Sequence, residues 1–119
     1  MIRNVNSKID LENLRGGTGI VEVYKILEPE DMLGHGNVCS RVVLKPKASI
    51  GLHQHIDDME LYYIVKGEGL FLNNDGGGTP VKSGDACTIR VGEKHGIINT
   101  GNDDLEMIAI VYYARGISK

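Results

Sequence analysis

The sequence predicts an all-β fold, a closed barrel or jelly roll, on three observations. Apolar residues gather in short stretches of strand length, turn-forming residues stand between them, and no stretch of helical length carries an i, i+3, i+4 apolar period. Short strands leave unpaired edges, and closing the sheet or stacking two sheets covers them. Sixteen glycines, against no tryptophan and one phenylalanine, fit a chain with many tight turns.

Taken in order, residues 1–20 are polar and broken by Gly16-Gly17-Thr18-Gly19, so they are expected to form an arm or loop ahead of a single barrel over 21–119. The glycines do not make a phosphate loop, because no GK[ST] and no helical segment follow them. Strands are expected at 21–27 and 38–44, with room for one helical turn at Glu28 to Leu33 between them, and Pro46 closes the second. Further strands are expected at 50–55, 60–65 and 69–72, separated by turns at 56–59 and Lys66-Gly67 and ended by the run Asn73 to Gly78. Ser83-Gly84-Asp85 and Gly92 bracket a strand at 86–91, and Thr100-Gly101-Asn102-Asp103 separates 96–99 from 105–113. Eight strands are the expectation.

Thirteen basic against sixteen acidic residues give a net charge of -3, which is no footprint for a polyanion, so nucleic acid is excluded as a partner. No apolar run approaches the roughly 20 residues of a membrane helix, and the first residues lack an apolar signal core. A cytoplasmic protein with no membrane partner is expected. Cys39 and Cys87 each lie alone in a strand-like stretch, which reads as two reduced core thiols rather than a disulfide.

The chemistry gathers around His53-Gln54-His55. Side chains two apart on a strand share a face, so both imidazoles can reach one ion. After a four-residue turn Glu60 can project toward the same point from the neighbouring strand, and His95 stands at a later strand start. Three imidazoles and one carboxylate suit a divalent ion such as manganese, iron, cobalt or nickel, which keeps two coordination positions open; zinc also fits.

These residues resemble the cupin superfamily, whose motifs are G-x5-HxH-x(3,4)-E-x6-G and G-x5-P-x-G-x2-H-x3-N. His53, His55, Glu60 and Gly67 match the first, with Lys47 at its opening glycine position; Gly84, Gly92, His95 and Asn99 match the second, with Arg90 in place of its proline. The resemblance implies a double-stranded β-helix, a jelly-roll barrel holding a metal on His53, His55, Glu60 and His95 inside its mouth. It also implies a homodimer built by sheet packing or exchange of the N-terminal arm. Residues 60–69 and 92–106 are similar to small single-domain cupins described as oxalate decarboxylase-like, which implies a manganese-type ion and a small carboxylate or sugar-like ligand chelated through two oxygens.

Alternation puts Tyr62 on the ligand face, as pocket lining or as core. Phe71, Ile98 and Met107 are candidate apolar walls. Arg41, a charge in an apolar strand, either clamps a substrate carboxylate in the mouth, as a candidate substrate residue, or faces solvent. Asp57 and Asp58 read as solvated turn chemistry, and His35 as an exposed loop residue. The function expected is an enzyme acting on a small oxygen-rich metabolite, an oxalate-like carboxylate, with no general acid or base assigned. The alternatives are a binding or sensing module and a sugar or uronate isomerase.

Overall fold

The computed structural model describes residues 1–114, and residues 115–119 lie outside the description. Among the described residues, ten antiparallel strands form two facing sheets. The six-stranded sheet has the order β1 (Ile9–Glu12), β2 (Ile20–Leu27), β3 (Gly36–Leu44), β10 (Leu105–Tyr113), β5 (Asp58–Lys66) and β8 (Ala86–Ile89). The four-stranded sheet has the order β4 (Ser49–Gln54), β9 (Lys94–Asn99), β6 (Glu68–Leu72) and β7 (Gly78–Lys82). Their inner faces meet as period-2 patterns: Leu105, Met107, Ala109 and Val111 on β10 face Ile50 and Ile97 of the other sheet, all buried.

The eight expected strands all form, and two more join them. Strand β1 lies within the stretch expected as arm or loop, pairing Ile9 with Val23 and Leu11 with Val21. Only its Leu11 is half-buried, so it shows no apolar alternation to read. Strand β7 carries Gly78 and Pro80 and buries Val81 alone; as the outermost strand of its sheet it tolerates a proline that has no N–H to donate. Glu28 to Leu33 makes a single 3-10 turn at Pro29–Met32.

The turns show what the two motif departures do. Lys45-Pro46-Lys47-Ala48 closes with Ala48 N–H donating to the Lys45 carbonyl at 2.9 Å, and Lys47 sits at φ 69°. Proline second and a left-handed residue third define a type II turn, the conformation that favours glycine. Lys47 therefore adopts the backbone that the motif's glycine would. At the other departure Arg90 N–H donates to the Glu93 carboxylate at 2.7 Å, a bond that proline lacks the hydrogen to make.

Asn99 ties the closing loop to the barrel. Its buried side-chain amide donates to the carbonyls of Leu44 and Asp103, both at 2.9 Å, and its Oδ1 accepts from Gly101 N–H at 2.9 Å. Both of its amide hydrogens and its carbonyl oxygen are engaged by backbone groups.

Candidate metal centre

Register brings the cluster together from both sheets. Strands β4 and β9 pair His53 opposite His95, and His55 follows the end of β4, where its backbone N–H donates to the Glu93 carbonyl at 3.0 Å. Glu60 shares the inward face of β5 with Tyr62 and Ile64. It reaches the cluster from the opposing sheet, not from a strand paired with β4 as the spacing was read: the turn at 56–59 carries the chain across the barrel.

One donor atom from each of His53, His55, Glu60 and His95 lies within 4.8 Å of every other. A Glu60 carboxylate oxygen is 3.1 Å from His55 Nε2 and 2.8 Å from His95 Nε2, and those two nitrogens are 3.1 Å apart. Donors about 2.1 Å from one ion and at right angles to each other stand roughly 3.0 Å apart, so this spacing fits a six-coordinate divalent cation. The donor set, three nitrogens and one oxygen, fits as well.

Neighbouring groups orient the rings. His53 Nδ1 donates to the Gly51 carbonyl at 2.7 Å and His55 Nδ1 to Asp58 Oδ1 at 2.5 Å, which leaves Nε2 of each ring as the nitrogen that can serve as a metal ligand. Asp58, read from the sequence as a solvated turn residue, is thus the carboxylate that aims His55. His95 has no partner at Nδ1 among the described residues. Packing holds its ring instead: Tyr62 stacks on it at 4.7 Å and 19°, and Phe71 meets it edge-on at 5.9 Å.

The electrostatics favour the ionised carboxylate of Glu60 and the neutral imidazole of His53, and oppose proton loss from His55. Burial pushes the Glu60 carboxyl up, but hydrogen bonds from His55 and His95 outweigh it and hold the group below its ordinary value. Burial also lowers the pKa of His53. The hydrogen bond to Glu60, opposed by burial and supported by Asp58, raises that of His55. Burial and then the Glu60 charge push the Tyr62 phenol well above its usual value, so it stands as a neutral hydroxyl.

A cavity of about 240 Å³ opens beside the cluster between the sheets. His53, His55, Glu60, Tyr62 and Met107 line it, with Leu11 and Leu14 from the N-terminal segment closing one side. Three residues of the segment expected as an arm ahead of the core, Leu11, Leu14 and Arg15, therefore wall the site. Phe71 is buried behind His95. Two candidates point elsewhere. On β3, Ser40 and Val42 face the cavity, so alternation turns Arg41 outward, where Nη1 pairs with Glu106 at 2.9 Å and the guanidinium lies 3.9 Å over the Tyr24 ring. On β9, His95, Ile97 and Asn99 are buried on the inner face, which places Ile98 on the outer one. Sequence reasoning also missed Arg15 and Lys25, which line the cavity from segments with no motif.

Comparison with known proteins agrees with this architecture. The family description "Cupin domain" matches residues 40–111. An oxalate-binding protein of Thermotoga maritima is 45% identical over 101 residues, covering 85% of this chain and 83% of that protein. The crystal structure of a protein described as a predicted oxalate decarboxylase from Thermotoga maritima superposes with a TM-score of 0.91 at 40% identity, covering 95% of this chain and 99% of that one. A Klebsiella pneumoniae protein with a double-stranded β-helix domain shares the fold at a TM-score of 0.68 and 20% identity, covering 98% and 86% of the two chains. Two facing antiparallel sheets, both histidine motifs in register and these matches establish that the chain belongs to the cupin family.

Proposed function

We propose that His53, His55, Glu60 and His95 hold one divalent cation, manganese in the first instance, and that the site binds a small oxygen-rich carboxylate of the oxalate class. The observation that carries the reading is the convergence of four donors within 4.8 Å at the wall of a cavity. The relative named as an oxalate-binding protein supports the ligand class. A bound ion would supply a Lewis acid to which two ligand oxygens could bind, with their charge offset. The protein's own share is orientation and shape: Asp58 and Gly51 aim two imidazoles, Tyr62 and Phe71 brace the third, and Leu14, Val42 and Met107 give the cavity an apolar wall.

Turnover is the second reading, favoured by the relative described as a predicted oxalate decarboxylase. Among the described cavity residues the titratable groups besides the four donors are Arg15, Lys25 and the neutral Tyr62, so a proton delivered to bound ligand comes from Tyr62 or Lys25. The free thiols of Cys39 and Cys87 support a reducing, cytoplasmic setting. The outer face of β5 and β10 supports a sheet-to-sheet homodimer, since Tyr63 and Val65 are 45% and 41% exposed there beside half-buried Leu61, Ile108 and Ile110.

Calorimetry with elemental analysis tests the proposal. The chain should take up one equivalent of Mn²⁺ and bind oxalate only when loaded, and Glu60→Gln should lose both. Oxalate bound equally well in the presence of a chelator would contradict it. Proton NMR of the same mixture, showing formate or unchanged oxalate, separates turnover from binding.

A further inference from the structure

The N-terminal segment does more than close the cavity. Asn13 and Arg15 both adopt left-handed backbone, at φ 54° and φ 56°, and Gly16 follows at φ 77°. Two non-glycine residues there cost on the order of 1 kcal/mol each or more, and such strain persists only where surrounding contacts impose it. Those contacts are present. A Cβ on Gly51 would collide with the Arg15 carbonyl oxygen, and one on Gly17 with the Ser49 carbonyl, so the two backbones lie against each other where no other residue pair fits. Thr18 and Ser49 then stitch them together, with Ser49 N–H donating to the Thr18 carbonyl at 2.8 Å and Thr18 N–H to Ser49 Oγ at 3.0 Å. Gly51 is also the residue whose carbonyl orients His53. The strained loop is thereby locked to the strand that carries the metal-ligand motif.

This lock sets an exposed arginine on the wall of the cavity that His53, His55 and Glu60 line. Among the described residues Arg15 has no ion-pair partner. The other cavity cation, Lys25, has Glu28 at 3.8 Å. Glu60 is the cavity's one acidic side chain among those residues, and it is engaged by two histidines. A guanidinium with no ion-pair partner among the described residues, carried on a loop fixed by backbone contacts at the wall of a cavity whose one acidic side chain is already engaged, can receive a planar anion from the ligand side.

We propose that Arg15 is a specificity-determining residue that binds the second carboxylate of a dicarboxylate whose first carboxylate engages the four-donor centre. The inference rests on the proposed function of that centre and names its ligand class: dicarboxylates over monocarboxylates that chelate equally well. Arg15 makes this selection through a planar, bidentate contact, which lysine reproduces only as a point charge.

Calorimetry on Mn²⁺-loaded protein tests it with glycolate, which chelates through one carboxylate and a hydroxyl, and with malonate and succinate. Charge-assisted pairs of this kind are worth roughly 10- to 100-fold in affinity. Arg15→Gln should weaken malonate or succinate by that factor and leave glycolate within about twofold, while Arg15→Lys recovers part of the loss. Unchanged metal content and melting temperature in Arg15→Gln would confirm that the loop still folds. Equal losses for glycolate and the dicarboxylates, or no loss for any of them, would overturn the assignment of Arg15 while leaving the centre intact. Wild-type protein that binds oxalate but none of the three would overturn the assignment of Arg15 and leave the centre intact, whereas protein that binds neither these nor oxalate would overturn the reading of the centre, and with it this one.

Discussion

At the scale of single residues, the site separates donors from the groups that aim them. Asp58 donates nothing to the cluster, yet its carboxylate fixes the tautomer and tilt of His55. Losing such a partner lowers metal affinity about 10- to 100-fold, so Asp58→Asn should weaken Mn²⁺ binding by that factor in a calorimetric titration, with the fold unchanged. Lys47 makes a second prediction. Its φ of 69° is strained for lysine, and Lys47→Gly relieves about 1 kcal/mol of it, part of which is offset by the greater freedom of glycine in the unfolded chain. A net gain near 0.5 kcal/mol in a urea titration is the expected outcome. A loss would mean that the lysine side chain stabilises the turn in some other way. The four donors were legible because the spacing of three histidines and a glutamate is a property of the chain. Arg41 was not, because a charge in an apolar strand is consistent with either face, and only the register of Ser40 and Val42 decides that it points out to Glu106 and Tyr24.

Elements show the same division. Strands with apolar alternation, such as β10 with Leu105, Met107, Ala109 and Val111 inward, were readable from pattern alone. Strand β1 was not, since its sequence half-buries one side chain and its existence depends on the edge that β2 offers. The assignment of Glu60 to the opposing sheet was hidden for a related reason: the spacing in the first motif gives the distance along the chain between His55 and Glu60, not the sheet to which the chain returns. Turns carry a testable share of the stability. Asn99→Ala leaves the buried Leu44 carbonyl and the Gly101 N–H without their partners. Each such group costs roughly 1–3 kcal/mol, so a total loss of about 2–6 kcal/mol in denaturant unfolding is expected. Shortening the N-terminal segment to begin at residue 20 removes β1, Leu11, Leu14 and Arg15, and with them one wall of the cavity. Carboxylate binding should fall more than metal binding does, because all four donors lie beyond the cut.

For the whole molecule, the two sheets share the cost of the site. Three imidazoles and a carboxylate are withdrawn from water at the inner faces, where an apolar core would otherwise continue. A cation that binds the folded chain alone returns part of that cost: at a hundred times its dissociation constant it stabilises by about 2.7 kcal/mol, which for a domain of this size raises the melting temperature by roughly 10 °C. Glu60→Gln should lose that increment while melting near the metal-free wild type. The most direct test is a crystal of the wild-type chain grown with MnCl₂ and measured for anomalous scattering. The account predicts one strong peak bonded to Nε2 of His53, His55 and His95 and to a Glu60 carboxylate oxygen, at about 2.0–2.2 Å from each. A cluster with no peak, or manganese held at another place on the chain, would contradict it.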